Sequence, residues 1–331
     1  MHTASHAAIA HHVTPDILGL KPATPYEAGF ARIRCGRGHR FVTEAGTRPS
    51  EQQLNRVRAL AIPPAWTDVW IAQHPDHHIQ ACGVDGQGRR QYIYHPDYRA
   101  AAEQAKFDQL ALFAERLPRL RRRVKSALQG SAEDEAFVLA TLVRLLDSAG
   151  LRIGSGRKTR TGAIGATGLE RHHIELSKEG LALHFIAKGR KKRDVEIDDA
   201  TLTRTVRRLM KHSERRLFAV HGAPVSARQV NAFISDSMGV PFTAKFFRTW
   251  GGTVAASKAV LSNPDTASIK LACDAASTFL GNTPAIARKS YIHPSVIVYA
   301  RDPWGDVAEA GPTALKAAER RCLGLLASCP D

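Results

Sequence analysis

The spacing of apolar residues changes from strand-like to helical at Pro96-Asp97, and this change restricts the fold more than any other feature. Between Gly29 and Tyr98 short β-type runs are broken by turns: F-A-R-I-R, H-R-F-V-T, D-V-W-I-A and H-I-Q-A-C-G-V, then D-G-Q-G, then R-R-Q-Y-I-Y. A period of two buries one face of a sheet, and D-G-Q-G supplies residues suited to a tight reversal. Beyond Pro96-Asp97, residues 99 to 128 and 131 to 149 carry apolar side chains at helical spacing. The second of these opens with Ser131 and Asp134, a pattern like a capping box, and stops at Gly150. A length of 331 residues accommodates two domains at about 150 residues each.

Within the longer part, H-I-E-L, L-A-L-H-F-I-A-K and R-D-V-E-I are strand-like runs joined by S-K-E-G and G-R-K-K, a meander over residues 173 to 197. Helical patterns resume over 199 to 212, 226 to 238, 243 to 262 and 265 to 280, with Ser226 and Gln229 at the start of the second and Gly239 after it. The predicted class is α+β: a small antiparallel β-sheet domain over residues 23–98, then a larger, mainly α-helical domain over 99–331 with a small three-stranded sheet. Residues 1–22 show no periodicity and are expected to be flexible.

Charge narrows the partners. The balance of 47 Lys+Arg against 31 Asp+Glu gives +16, which speaks for a polyanionic partner and says nothing about fold. The cations cluster in R-I-G-S-G-R-K-T-R (152 to 160), A-K-G-R-K-K-R (187 to 193), R-R-L-M-K-H-S-E-R-R (207 to 216) and K-F-F-R (245 to 248). Any one cluster fits an ordinary solvated face; four together favour phosphate contacts. No apolar run approaches the roughly 18 residues of a membrane span, and the first residues lack the pattern of a signal peptide, so a cytoplasmic protein is expected, with no membrane partner.

Cys35, Cys82, Cys273, Cys322 and Cys329 lack C-x-x-C spacing, and His11-His12, His77-His78 and His172-His173 are adjacent pairs that point in different directions in a regular element, so no metal is expected. G-S-G-R-K-T-R and G-A-I-G-A-T-G resemble nucleotide loops but lack the strand-to-helix context, so no ATP or other small-molecule cofactor is expected.

Chemistry at a phosphodiester needs fixed cations on the non-bridging oxygens, a proton donor for the leaving oxygen, and a nucleophile. Arginine suits the first task because its fork of N–H donors stays charged, and a lysine among other cations suits the second. Lys188 ends a strand at a basic hairpin tip, while Lys245 and Arg248, three residues apart on a predicted helix, share a face. In G-N-T-P-A-I-A-R-K-S-Y-I-H-P (281 to 294), Thr283-Pro284 reads as N-cap and first helical residue, which sets Tyr291 about two turns into a short helix. On spacing alone, Tyr291 is equally a half-buried packing residue and a nucleophile.

At this point the chain resembles the poxvirus-like type IB DNA topoisomerases of bacteria, from about Tyr26 to the region after Tyr291. L-A-I-P-P-A-W-T-D-V-W (60 to 70) and H-I-Q-A-C-G-V-D-G-Q-G-R-R-Q-Y-I-Y-H-P (78 to 96) look like the family's N-terminal domain. L-R-I-G (151 to 154), G-A-I-G-A-T-G-L-E-R-H-H-I-E (162 to 175), F-I-A-K (185 to 188), K-F-F-R-T-W (245 to 250) and the stretch around Tyr291 look like its catalytic domain. The resemblance implies that Tyr291 attacks the scissile phosphate, forming a 3′-phosphotyrosyl enzyme and a free 5′-hydroxyl, after which the broken strand swivels and is rejoined. Arg152 and Arg248 fall where the family clamps the phosphate, Lys188 where its general acid lies, and Lys245 where a lysine assists that proton transfer. It also implies a double-stranded DNA partner, a nucleoid-associated monomer that clamps DNA, and independence of ATP and metal.

Two positions depart from the family. Asn282 stands nine residues before the nucleophile, where the poxvirus enzymes have a histidine, so a neutral amide donor is expected in place of a charge. Gly189 replaces an acidic residue after Lys188. DNA contacts are expected from Gln91, Tyr92 and Tyr94, with Arg89 and Arg90 near the backbone, and from Arg157, Lys158, Arg190, Lys191, Arg288 and Lys289. A tyrosine recombinase shares the Arg, Lys, Arg, Tyr arrangement, but such enzymes usually carry His-x-x-Arg where this chain has Lys245-x-x-Arg248, and their N-terminal module is helical. A DNA-binding protein without catalysis is the remaining alternative.

Overall fold

The computed structural model describes residues 13–25, 27–154, 162–177 and 180–329. The chain divides into two compact units, Met1–Asp108 and Gln109–Asp331.

The first unit is built on a five-stranded antiparallel sheet in the order β2-β1-β3-β4-β5. Its strands are β1 (Gly29–Cys35), β2 (Gly38–Val42), β3 (Thr67–Ala72), β4 (Ile79–Val84) and β5 (Arg90–Tyr94). The sequence-derived strands fall on all five. A helix the spacing did not reveal, α1 (Glu51–Ala59), turns Val57 into a core with Phe30, Val69, Ile71 and Ala81. Its start is a full capping box: the Ser50 hydroxyl accepts from the Gln53 N–H, and the Gln53 side chain accepts from the Ser50 N–H. The unit closes with α2 (Pro96–Asp108). The expected single helix over 99 to 128 is therefore two, with α3 (Leu110–Ala127) starting after Gln109.

In the second unit, α4 (Glu135–Ala149) starts at its N-cap Asp134 rather than at Ser131, whose backbone N–H is instead held by the Asp134 carboxylate at 3.0 Å. It ends as expected on Gly150, at φ +56°. The meander is β6 (Ile174–Leu176), β7 (Leu181–Ala187) and β8 (Lys191–Ile197), all antiparallel. Its second turn is tighter than the four residues G-R-K-K: Lys191 and Lys192 already pair with Ala187 and Ile186. The reversal is left to Lys188, Gly189 and Arg190, with Gly189 at φ +83° and Arg190 at φ +60°. Glycine at 189 meets this backbone requirement, which an acidic side chain would resist.

The remaining helices are α5 (Ala200–His212), α6 (Ala227–Met238), α7 (Ala244–Leu261), α8 (Ile269–Leu280), α9 (Pro284–Tyr291), α10 (Pro294–Arg301) and α11 (Ala317–Ala327). α7 runs through the middle of the unit. Its start packs Phe246 and Phe247 on Phe113 of α3, at ring-centroid separations of 5.6 and 5.3 Å. Its later turns join Ala256 and Val260 to a core with Ala272, Ala276, Leu280, Ile292, Val296 and Leu325. Trp250 of α7 also donates to Glu319 of α11, a carboxylate clasped by Arg121 at 2.7 Å. Among the described residues, no helix is long and apolar enough to cross a membrane.

Candidate active site

Three stretches of backbone converge beside α7. The first is the segment that leaves α4, Leu151 to Gly154. Its carbonyls accept from the next loop, with Ala166 N–H to Arg152 O at 2.8 Å and Thr167 N–H to Ile153 O at 2.9 Å. That loop is tied to β7 in turn, by Ile164 N–H to Ile186 O at 2.9 Å. The two glycine-containing stretches meet here. A Cβ on Gly165 would lie 2.5 Å from Gly154 Cα and 2.6 Å from Arg152 O. Glycines in these stretches thus serve a close crossing of two backbones, and the crossing fixes where Arg152 starts.

Gly165→Ala is therefore expected to cost about 2 kcal/mol of stability. Gly165 has φ −117°, so the cost is one of space alone. Denaturant unfolding checks it.

The second stretch is the β7–β8 hairpin. Phe185 and Ala187 face inward, and Lys188 follows them onto the rim of a small cleft. The cleft is lined by Arg152, Lys188, Arg193 and Arg248, with Gly165 and Gly281 at its margins. Arg248 is only 4% exposed. Its Nη1 donates to the Gly150 carbonyl and, at 3.4 Å, to that of Leu280, while its buried Nε has no partner among the described residues. Burial lowers the Arg248 pKa, as does the charge of Arg152.

The third stretch carries Asn282 and Tyr291. The Thr283 hydroxyl caps α9 by accepting from the Ile286 N–H, with Pro284 as first helical residue, as the spacing predicts. Tyr291 is the last residue of this helix and is half-buried. Its backbone lies hard against α7: a Cβ on Gly252 would come within 3.0 Å of Tyr291 O, and the Thr253 hydroxyl donates to that same oxygen at 3.1 Å. The Tyr291 ring faces the Arg248 guanidinium, 4.8 Å from its centroid. Burial alone would raise the phenol pKa, but Arg248 first, then Arg152 and Lys245, outweigh it, and the net shift is downward. The phenol is therefore set among cations that favour its ionised form.

Of the residues singled out from sequence, Tyr291, Arg152, Arg248 and Lys245 thus act electrostatically on one another, and Lys188 shares the cleft with both arginines. Asn282 follows Gly281 at the cleft margin, with both side-chain amide atoms buried and unpartnered among the described residues. Buried donors and acceptors left in this state are costly, which sets Asn282 and Arg248 Nε apart from the satisfied polar groups around them. Arg193 was visible in the sequence only as part of a basic run. Its pairing with Phe185 turns it inward, which register alone reveals. Among the described residues, no group of three or more His, Cys, Asp or Glu is placed to hold a metal ion.

The remaining positions behave differently. Arg288 and Lys289, in the last turn of α9, are exposed, as are Arg190 and Lys191 at the hairpin tip. Arg157 and Lys158 lie outside the described residues. In the first unit, Asp85 accepts from the Arg89 guanidinium at 2.7 Å, from the backbone N–H of Gln87 and Arg89, and from Gln91 Nε2 at 2.9 Å. The Arg89 side chain above all holds that carboxyl well below the usual carboxylate range. Arg90 pairs with Asp68 at 2.8 Å, and Tyr92 stacks on Tyr94 with centroids 5.9 Å apart. Burial pushes the Tyr94 hydroxyl up to about 12.

Known proteins resemble this chain in parts of both units. The catalytic core of eukaryotic DNA topoisomerase I matches residues 95–291. The N-terminal domain of bacterial DNA topoisomerase IB matches residues 38–85. The chain is 29% identical over 261 residues to DNA topoisomerase 1B of Acanthamoeba polyphaga mimivirus, covering 73% of this chain and 78% of that protein. Among solved structures, the XerH site-specific recombinase bound to a palindromic difH substrate after cleavage is similar over 52% of this chain and 47% of that chain, with TM-score 0.36 and 14% identity. The pre-cleavage XerH complex on difH gives TM-score 0.37 and 14% identity over 58% of this chain and 52% of that chain. The catalytic-core match takes in more than half of the sequence and ends on Tyr291, and the chain belongs to the type IB DNA topoisomerases.

Proposed function

We propose that this enzyme relaxes supercoiled DNA with Tyr291 as nucleophile and the surrounding cations as its phosphate site. The observation that carries the assignment is the half-buried Tyr291 ring facing the buried Arg248 guanidinium at 4.8 Å, with the phenol pKa driven down by Arg248, Arg152 and Lys245.

The phenol oxygen attacks the scissile phosphorus as the bond to the 5′-oxygen breaks. The phenol gives up its proton to solvent, the DNA 3′-phosphate becomes esterified to Tyr291, and the departing 5′-oxygen takes a proton from the Lys188 ammonium. Rejoining is the same exchange reversed, so the ester conserves the energy of the phosphodiester and no ATP is consumed. Arg248 and Arg152 hold the non-bridging oxygens, on which charge accumulates as the phosphorus becomes five-coordinate. Asn282 adds a neutral N–H, and Lys245, exposed at the start of α7, assists the transfer from Lys188.

Duplex DNA is held through backbone phosphates by Arg190, Lys191, Arg288 and Lys289, with Arg157 and Lys158 assigned the same part. In the first unit, Tyr92, Tyr94 and Gln91 meet the bases or sugars, while Arg89 and Arg90 meet phosphates. Arg89 and Gln91 are tied to Asp85, so their approach to DNA is pre-oriented at the expense of reach. Because one chain supplies the whole catalytic set, the enzyme acts as a monomer, a state that sedimentation on and off DNA tests.

Relaxation of plasmid in EDTA without ATP is the expected activity. Protein that binds plasmid without changing its linking number would refute it. Lys188→Ala should slow cleavage about 100- to 10,000-fold on an ordinary phosphodiester. On a substrate whose bridging 5′-oxygen is replaced by sulfur the loss should be far smaller, because the thiolate leaves without a proton. Equal losses on both substrates would exclude the general-acid role.

A further inference from the structure

Arg193 has a place in the cleft that the reaction described so far does not use. It lies on β8 opposite Phe185, with its guanidinium lining the same cleft as Arg152, Lys188 and Arg248. Its other contacts run across to the end of α8. Nη2 donates to Phe279 O at 2.9 Å and Nη1 to Thr278 O at 3.4 Å. The last carbonyls of a helix lack partners within it and carry its negative dipole end, so a cation is well placed there.

Beneath the guanidinium lies Gly281, the C-cap of α8 at φ +60°. A Cβ at that position would sit 2.3 to 2.5 Å from Nη1, Cζ and Nε of Arg193. Gly281 therefore answers two demands at once, a left-handed backbone and room for Arg193. Burial and the charge of Arg152 both press the Arg193 pKa downward, so the side chain is held there against an electrostatic cost. The next residue is Asn282, whose amide makes no hydrogen bond of its own to the described residues. Nothing on its own side chain fixes where Asn282 points.

We propose that Arg193 is a positioning residue, which ties the Gly281-Asn282 turn to the β7–β8 hairpin and so aims the Asn282 amide at the phosphate beside Lys188. Arg193 acts through Asn282 and does not itself touch DNA. The idea rests on the role given to Asn282 above, and the test separates the two.

The experiment is single-turnover cleavage of a short duplex by wild type, Arg193→Met, Asn282→Ala and the double variant. Methionine keeps the apolar stem of Arg193 and removes the fork. Arg193→Met is expected to slow cleavage about 10- to 100-fold, with DNA affinity and melting temperature close to wild type. In the Asn282→Ala background the same change should cost less than about threefold, because the group it aims is already gone. If Arg193→Met does not fold, Gly281→Ala, which drives a methyl group into the same guanidinium, should show the same loss and the same dependence on Asn282. Full losses that multiply in the double variant would overturn the proposal in favour of direct contact between Arg193 and phosphate. An unchanged rate in Arg193→Met would overturn it outright. An Asn282→Ala enzyme that cleaves at the wild-type rate would remove the role of Asn282, and the Arg193 proposal with it, while leaving Tyr291 and Lys188 in place.

Discussion

Tyr291→Phe is expected to bind supercoiled plasmid with near wild-type affinity and to leave its linking number unchanged at any enzyme concentration. The substitution removes one oxygen from a half-buried ring and leaves the packing of α9 against Gly252 and Thr253 of α7 intact. Phenylalanine offers no oxygen to attack phosphorus, so cleavage should fall below detection rather than slow. The environment of the phenol adds a second expectation. Because the cations around Tyr291 lower its pKa against the opposing effect of burial, the ionised nucleophile forms at lower pH than for an ordinary tyrosine. Lys245→Ala removes one of those charges. Its rate-against-pH curve for cleavage should shift toward higher pH, with the largest deficit on the acid side.

Arg248→Lys should be nearly as damaging while keeping the charge. The guanidinium is 4% exposed, and its fork bonds the carbonyls of Gly150 and Leu280 while Nε has no partner among the described residues and is proposed to meet a phosphate oxygen. An ammonium cannot reach both carbonyls and an oxygen from one point. Cleavage is expected to drop about 100- to 1000-fold, the usual loss when one fixed donor to a developing oxyanion is removed. Religation of a preformed covalent complex should fall in the same proportion, since both directions pass through one transition state. A variant that lost stability but kept its cleavage rate per folded molecule would show that Arg248 is a structural cation only.

Much of this architecture can be read from local pattern. Gly150 and Gly239 end helices where the sequence has them end them, and Ser226 with Gln229 forms the capping box its spacing announces. The antiparallel strands of the first sheet are legible because each is a short run of β-type residues bounded by turn residues. What escapes is set by contacts distant in sequence. The helix α1 buries only Leu54 and Val57, too narrow an apolar stripe to stand out, although Ser50 and Gln53 mark its start. Lys191 and Lys192 read as turn residues because their side chains are charged and exposed, yet their backbones pair with Ala187 and Ile186. The break at Gln109 and the helices after Tyr291 likewise follow from packing.

The site divides along the same line. Lys245 and Arg248 share a helical face, and Lys188 directly follows a strand, so both placements follow from elements that propensity specifies. Thr283-Pro284 fixes the start of the helix bearing Tyr291. By contrast, the inward turn of Arg193 depends on its register with Phe185, and its bonds to Thr278 and Phe279 span more than eighty residues. The hold of Asp85 on Arg89 and Gln91 follows from the geometry of the β4–β5 turn, in a stretch that by composition is merely basic.

The role of Tyr291 is tested most directly by trapping the enzyme on DNA with denaturant, digesting it, and sequencing the peptide that carries the nucleotide. The account predicts DNA joined through its 3′-phosphate to the peptide containing Tyr291, formed in EDTA, with a free 5′-hydroxyl on the other strand end. A 5′-linkage, attachment at any other residue, or an adduct that requires magnesium would contradict it.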